Sequence, residues 1–288
     1  MTDYNGQPSS TGIGWSGLDA GRLLIALHIL SRRHPEHAAA VQDVVSRWDL
    51  DQLTAGGTLR GRLRGTPESY QEGRLGYEEY VAKGLVLAGL DAYRALETMD
   101  TARFVDVFGI PVPTDRRDRA THDADVCTTS EPHILEGLEL GFDARSRAFA
   151  WAVFQAQARR ATASGIPTAV SEDHVEGPPH FVYACVIGNG EPWAVLSPQG
   201  ERFDRLRFLD TKAAFGWAAL FPTAYTDHLQ EVVLPLNDPA RGWYAGRFEA
   251  DGRTNGAVTA NANAVILESL HYRARGPLLP GAAATSGN

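Results

Sequence analysis

Apolar residues recur at helical spacing along most of the chain, which predicts a mainly α-helical protein. Over residues 18–31 the apolar side chains leave only a narrow polar stripe, so we expect a helix that is buried around most of its circumference. Pro35 ends this pattern, because its ring does not fit inside a helix. The same spacing predicts further helices at residues 36–48, 77–96, from Pro132 onward, 144–163, 212–220, 226–234 and 260–272.

Short extended segments lie between these helices. Residues 58–64 and 104–112 have the composition of short strands. The clearest hairpin signal joins residues 181–187 to residues 193–196 around the turn sequence Gly188-Asn189-Gly190.

Successive helical hairpins with long intervening loops predict the fold class. We expect a mainly α protein with an (α/α) toroid-like, and if shortened incomplete, ring of helices and short β-hairpin insertions, with an orthogonal bundle as the alternative. No repeat or linker divides the sequence, so residues 1–279 are predicted to form a single domain. Residues 280–288, rich in Ala, Gly and Ser, are predicted to be a disordered tail.

Charge narrows the choice of partners. The formal net charge is -8, and an acidic surface repels nucleic-acid phosphates and anionic lipids, so we expect no nucleic-acid partner. We expect no membrane insertion, since no apolar run reaches the roughly 18 to 20 residues that span a bilayer. The polar residues 1–10 lack the pattern of an export signal. The oligomeric state is left open.

Two cysteines, Cys127 and Cys185, are too few for a disulfide framework or a cysteine-rich zinc module. We favour two buried thiols, and a single bridge between them is the alternative.

Six segments in order resemble domain-of-unknown-function family 3131, from residue 12 to about residue 279. They are GIGWSGLDAGRLL (12–24), YQEGRLGYE (70–78), SEPHILEGLE (130–139), KAAFGW (212–217), NDP leading to GWY (237–244) and TANANAVILE (259–268).

This resemblance implies an (α/α) toroid related to glycoside hydrolases, including those that act on β-1,2-glucans. It also implies a bacterial, usually exported protein, hence an extracytoplasmic (periplasmic or secreted) location, but no particular reaction. Members of the family carry further helical sequence before the Gly-Trp-Ser segment. The resemblance therefore predicts a fragment, a misplaced start or a shortened toroid here, and a fragment would leave an exposed apolar face on the first helix.

Glycosidic bond cleavage requires a proton donor and a second carboxylate, and two glutamates lead as acid and base candidates. Glu72 lies among Tyr70, Arg74 and Tyr77 before a helix, where a charge that favours the helix N-terminus is the structural alternative. Glu131 follows Ser130, and helix capping accounts for this serine but does not require a glutamate.

Three further carboxylates are catalytic candidates. Glu136 is either a buried charge that suits a general acid or an ordinary rim residue. Asp19, with Arg22 three residues later, is equally well explained by an ion pair at the start of a helix. Asp173 lies in a predicted loop, residues 172–174, for which a solvated surface loop is the favoured interpretation and a lid the alternative.

Aromatic and amide side chains are candidates for sugar binding, because sugar rings stack on aromatic faces. Trp217 is predicted to belong to the core, since it lies on an Ala-rich apolar helix. Asn261 precedes an apolar helix, so capping is its structural alternative. The substrate-binding candidates are Trp15, Tyr70, Arg74, Tyr77, Trp243 and Asn261.

Other chemistries lack their motifs, since the sequence has no phosphate-binding glycine loop, no dinucleotide fingerprint, no His-Glu-x-x-His and no Gly-x-Ser-x-Gly. We therefore predict no cofactor and no metal. The preferred function is a glycoside hydrolase or transglycosylase acting on a bacterial polysaccharide or oligosaccharide, most simply a neutral glucan. The alternative is a non-catalytic glycan-binding or envelope polysaccharide assembly protein.

Overall fold

The computed structural model of the chain describes residues 14–63, 65–66 and 68–279, and about 47% of them are helical. The predicted tail at residues 280–288 lies outside the described residues, as does Arg64 at the end of a predicted strand. Within the described part of the chain there are nine α-helices: α1 (Gly17–Arg33), α2 (Ala38–Val45), α3 (Tyr77–Leu87), α4 (Arg119–His122), α5 (Glu131–Leu135), α6 (Ala144–Ser164), α7 (Thr211–Leu220), α8 (Ala224–Val233) and α9 (Ala260–Arg275).

Shorter helical turns and strands connect the α-helices. A π-helical turn, Glu136–Leu140, continues α5, and 3₁₀ turns lie at Pro35–His37, Leu50–Leu53, Tyr93–Leu96, Thr98–Asp100 and Asp204–Leu206. The strands are β1 (Gly14–Ser16), β2 (Thr54–Ala55), β3 (Thr58–Leu63), β4 (Tyr70–Gln71), β5 (Ala102–Val107), β6 (Ile110–Asp115), β7 (Cys127–Thr128), β8 (Glu172–His174), β9 (Phe181–Ala184), β10 (Ile187–Gly188), β11 (Glu191–Pro192), β12 (Val195–Leu196), β13 (Phe208–Asp210), β14 (Asn237–Asp238), β15 (Gly242–Trp243), β16 (Gly246–Phe248) and β17 (Thr254–Asn255).

The chain forms two compact units, the first ending at Asp100 and the second beginning at Thr101. The core of the first unit is the contact between α1 and α3, which approach closely at two glycines. A Cβ atom on Gly21 would lie 2.3 Å from the Val81 side chain, and one on Gly84 would lie 2.3 Å from the Ile25 side chain. Larger residues at either glycine would therefore force the helices apart.

The second unit is organised around α7, in which all ten residues are buried. This helix packs against α5, α8 and α9. Aromatic rings fill the space beside it, with Trp217 stacked on Phe221 and tilted against Phe154. The prediction that Trp217 belongs to the core is confirmed.

Several predicted elements differ from the observed ones at their glycines. The helix predicted over residues 77–96 ends at Leu87, because Gly89 has a positive φ that breaks the helix. The single strand predicted over residues 104–112 is the hairpin β5–β6, whose turn at Phe108 and Gly109 also has positive φ angles. The hairpin predicted over residues 181–196 is confirmed, with β9 paired to β12 and β10 paired to β11.

The surface of the first two helices is only partly as expected. The prediction that the first helix is buried around most of its circumference is wrong, since its buried residues are only Gly17, Gly21, Leu24 and Ile25. Leu23 and Leu30 on α1 are exposed apolar positions of the kind that the resemblance predicted for this helix. The helix predicted over residues 36–48 is observed as α2, but it adds nothing to the core, since no residue of α2 is buried. Among the described residues no helix is long and apolar enough to cross a bilayer.

The two cysteines form a disulfide, so the favoured interpretation of two buried thiols is wrong. Cys127 in β7 and Cys185 after β9 lie with their Cα atoms 5.5 Å apart, within the range that a disulfide spans. The bridge anchors the segment that leads into Glu131 to strand β9, which pairs with β8 and its Asp173.

Removing this bridge should destabilise the protein. Replacing Cys127 and Cys185 together by serine is expected to lower the free energy of unfolding by about 2–4 kcal/mol, because the unfolded chain is no longer closed into a loop. Denaturant unfolding measures the loss, and reduction of the unaltered protein should reproduce it. Two reactive thiols in the native, unreduced protein would contradict the bridge.

Candidate functional site

In the first unit, a row of three residues across β1, β3 and β4 forms the floor of a carboxylate site. Ser16 pairs with Gly61, and Gly61 pairs with Tyr70 on its other edge, so their side-chain positions share one face of the sheet. A Cβ on Gly61 would lie 2.9 Å from both Glu72 Cδ and Tyr70 Oη. Because Gly61 has no side chain, the Glu72 carboxylate can occupy the space above it.

The Glu72 carboxylate accepts hydrogen bonds from the start of α1. Its Oε2 accepts the Leu18 N–H at 3.1 Å, and the Ser16 side chain and the Gly17 N–H also hydrogen-bond to the carboxylate. The predicted alternative, a charge at a helix N-terminus, is thus correct in kind, but the helix is α1 rather than the following α3.

Burial nevertheless raises the pKa of Glu72 above its ordinary value. The hydrogen bonds from Leu18, Ser16 and Gly17 oppose this shift, whereas the negative charge of Asp19 adds to it. Glu72 is therefore a half-buried carboxyl group that keeps its proton to higher pH than an exposed glutamate.

Tyr70 and Asp19 complete this group of residues. The Tyr70 hydroxyl hydrogen-bonds to Glu72, and the phenol has a pKa raised first by burial and then by the charge of Glu72. The Tyr70 side chain is 44% exposed and Asp19 is also exposed, so solvent or a ligand reaches both. The structure thus brings Asp19 together with Tyr70 and Glu72, which lie much later in the sequence.

The other candidates of the first unit have structural partners. The Arg22 guanidinium lies 5.8 Å from the centre of the Tyr77 ring, so one face of this predicted platform is occupied. Arg74 donates to the Gln71 side chain at 2.9 Å. Trp15 is half-buried in β1 and pairs with Arg62 in β3.

In the second unit, the hydroxyl of Ser130 fixes the start of α5. It donates to the Val170 carbonyl at 2.6 Å and accepts from Trp217 Nε1 at 3.0 Å and from Gln157 Nε2 at 3.1 Å. The prediction that Ser130 caps the helix is wrong, because these core partners use its hydroxyl.

Glu131 lies next to this anchor and is paired with a buried lysine. Lys212 Nζ lies 2.5 Å from Glu131 Oε2 and 3.5 Å from Asp173 Oδ2, and all three side chains are almost completely buried. Because both carboxylates lie within 3.5 Å of the same Nζ atom, their nearest oxygens lie close to each other. The predicted solvated loop at residues 172–174 is wrong, because Asp173 lies in the buried strand β8.

A third buried carboxylate, Asp210, lies at the N-terminus of α7 and accepts the Ala213 N–H at 2.9 Å. Burial raises the pKa of Asp210 well above its ordinary value, the charge of Lys212 opposes this, and the charges of Asp173 and Glu131 add to it. Burial alone would lower the pKa of Lys212, but the surrounding carboxylates, first Glu131, outweigh burial and raise it. These shifts favour the protonated form of Asp210 and the charged form of Lys212.

The sequence carried a signal for this buried charge cluster. Lys212 is the charged residue of an otherwise apolar helical segment, and a charge that enters a core needs a partner of opposite sign. We define the Lys212 cluster as Lys212, Glu131, Asp173 and Asp210.

The remaining candidates of the second unit surround or adjoin this cluster. Asn261 is half-exposed, and its Nδ2 donates to both oxygens of Glu131, at 3.3 and 3.2 Å. Capping does not explain Asn261, since Thr259 caps α9. Trp243 packs edge-to-face against Phe215 of α7 with ring centres 5.5 Å apart.

Glu136 is buried in the π-helical turn, which favours the buried-charge interpretation over a rim position. Among the described residues no group of three or more His, Cys, Asp or Glu side chains is arranged to hold a metal ion.

Comparisons with known proteins agree with this architecture. The family model "Protein of unknown function (DUF3131)" matches residues 1–276 of the chain. The fold is similar to the crystal structure of a "putative glucoamylase" from Bacteroides caccae, with a TM-score of 0.60 and 11% sequence identity over 96% of this chain and 73% of that chain. At this identity the likeness shows the fold alone. No curated protein matches the chain.

Removal of the buried ammonium should be strongly destabilising. Lys212→Met is expected to lower the free energy of unfolding by about 3–5 kcal/mol, because it leaves Glu131 and Asp173 buried without their counter-charge. Arg241→Met is the matched control, since the Arg241–Asp238 pair is exposed and its loss should cost below about 1 kcal/mol. Equal losses in the two variants would contradict the role given to Lys212.

His133 should make the protein sensitive to acid. It is buried in α5, and burial lowers its pKa to about 4 from an ordinary value of 6.5. The stability it contributes is complete above pH 6.5 and is lost as the pH falls toward 4, by about 3 kcal/mol. Urea unfolding across this range should show a shallower acid-side loss in His133→Gln. The exposed His228→Gln should match the unaltered protein, and identical slopes in all three proteins would refute the assignment.

Proposed function

We propose that this chain, which belongs to the DUF3131 family, is a carbohydrate-active enzyme that cleaves or transfers glycosidic bonds by acid/base chemistry of paired carboxylates. The observation that carries the proposal is the Glu72 site, where a half-buried carboxyl group with a raised pKa lies beside the exposed Tyr70 and Asp19. A fold similar to that of a protein named as a glucoamylase supports the same class of reaction.

The two carboxylates of the first unit suit different roles in this chemistry. Glycosidic cleavage requires one carboxyl group that is protonated and one that is ionised. Burial raises the pKa of Glu72, which suits the proton donor, and the exposed Asp19 suits the base or nucleophile. The exposed ring of Tyr70 offers a surface on which a sugar can stack.

Glu131 and Asp173 form the alternative catalytic pair. Both carboxylates lie against Lys212 and are almost completely buried, and Asn261 hydrogen-bonds to Glu131. We prefer the first unit, because Tyr70 and Asp19 beside Glu72 are already accessible.

The remaining parts of the proposal concern fold, substrate and location. We propose an (α/α) toroid, supported by the helical content and the likeness to the Bacteroides caccae protein. A net charge of -8 favours a neutral glucan-like polysaccharide over an acidic one, since like charges slow encounter. The Cys127–Cys185 disulfide supports a periplasmic or secreted location, because disulfides persist in oxidising compartments.

A screen of the purified protein against neutral and acidic bacterial polysaccharides tests the proposal, with new reducing ends and binding measured together. We expect cleavage or transfer on a neutral glucan, and a fall in kcat of about 10²- to 10⁴-fold in Glu72→Gln with binding retained. Glu79→Gln is the matched control, since Glu79 is also a buried glutamate that accepts a backbone N–H at a helix start, that of Gly76 at 2.7 Å.

Three outcomes would contradict this assignment. Binding without cleavage would favour the non-catalytic glycan-binding alternative. Loss of cleavage in a folded Glu131→Gln variant, with Glu72→Gln unaffected, would move the reaction to the Lys212 cluster. Activity on acidic polymers alone would show that net charge does not select the substrate.

A further inference from the structure

Ser16 hydrogen-bonds to both carboxylate-bearing residues of the proposed site. It ends β1 and caps α1, where its Oγ accepts the backbone N–H of Asp19 at 3.0 Å. The same side chain hydrogen-bonds to the Glu72 carboxylate. Ser16 and Tyr70 flank Gly61 in one row of the sheet, so both residues border the space above Gly61 that the Glu72 carboxylate occupies.

The direction of these hydrogen bonds follows from the chemistry of a hydroxyl group. A serine has one O–H to donate, and its oxygen can accept from other donors. The Asp19 N–H is a donor, so it uses a lone pair of Ser16 Oγ and leaves the O–H to point at Glu72. An ionised Glu72 is an acceptor for this O–H, whereas a protonated Glu72 needs it less.

We propose that Ser16 is a positioning residue for the Glu72 proton donor: its single O–H fixes the orientation of the carboxyl group and sets the pH at which the proton is released. The catalytic role given to Glu72 in this inference rests on the proposed function. The contact itself is a property of the fold and is tested separately.

The titratable groups that act on Glu72 are few. Asp19 on α1 contributes a negative charge, and the phenol of Tyr70 on β4 contributes a hydrogen bond. Ser16 Oγ also accepts the Asp19 N–H, so a shift in the titration of Glu72 reports the lost hydroxyl together with any movement of Asp19 at the start of α1.

The test compares two deletions of the hydroxyl with two matched controls. Ser16→Ala removes both the donor and the helix cap. Ser16→Gly removes the donor but keeps a residue that is tolerated at the cap position. Ser16→Thr retains the hydroxyl, and Thr223→Ala removes a cap hydroxyl at the start of α8 in the other unit.

The first measurement needs no substrate. The ¹³C shift of the Glu72 carboxyl, assigned as the signal missing from Glu72→Gln, is followed against pH in the full chain. Both hydroxyl deletions are expected to raise the titration midpoint by about one pH unit, because the ionised form loses a hydrogen bond. The two controls should titrate as the unaltered protein does. Unshifted midpoints in both deletions, or equal shifts in Thr223→Ala, would overturn the inference.

The second measurement is the pH profile of kcat/KM on the glucan that the unaltered chain cleaves. If Glu72 donates the proton, activity falls as the pH rises through its pKa, so the alkaline limb should move to higher pH in Ser16→Ala and Ser16→Gly by the same amount. A shifted NMR midpoint with a fixed alkaline limb would count against Glu72 as the acid and leave the Ser16 contact standing. Rescue of both measurements by Ser16→Thr supports the complete proposal.

Discussion

The ion pair between Lys212 and Glu131 is the interaction on which the second unit depends. An ammonium and several carboxylates lie inside a core where charge is tolerated only with a partner. Each member belongs to a different element: Glu131 to α5, Asp173 to β8, Asp210 to the end of β13 and Lys212 to α7. Elements that share one cluster of charges cannot slide past each other without separating them, so the cluster fixes their positions as well as their energies.

At the Glu72 site, too, burial of a carboxylate is opposed by its partners, but the partners are hydrogen-bond donors. Here a carboxylate is only half-buried, and its hydrogen-bond partners are backbone N–H groups and two hydroxyls. Hydrogen bonds partly compensate the burial, so the pKa stays raised. A site that catalyses proton transfer requires such a perturbed pKa. The Lys212 cluster also contains a raised pKa, that of Asp210, but its carboxylates surround a buried ammonium. This contrast, together with exposure, is why we give the two groups different roles.

Much of the helical framework could be predicted from the spacing of apolar residues, because burial of one face imposes a period on the sequence. Helices α1, α6, α7, α8 and α9 were expected within a few residues of their observed bounds. The errors arose where one local feature overrides the pattern, as at Gly89 in the third helix. Asp173 was expected in a loop because prolines follow it, and no local pattern showed that β9 would pair with its strand and bury it.

By itself the sequence determined which residue types were available for chemistry: acids beside glycines and aromatics, with Ser16, Asp19, Tyr70 and Glu72 all in segments that resemble one family. It also determined the family, since motifs in a fixed order can be recognised without knowing which residues are in contact. Only the tertiary structure decided which of these acids meet. Glu72 and α1 come together because Gly61 leaves room between two neighbouring strands, and Glu131 becomes buried because Lys212 arrives from a helix far along the chain. Charge and hydrogen-bond partners are set by distance in space, and sequence patterns report only neighbours along one helix or strand.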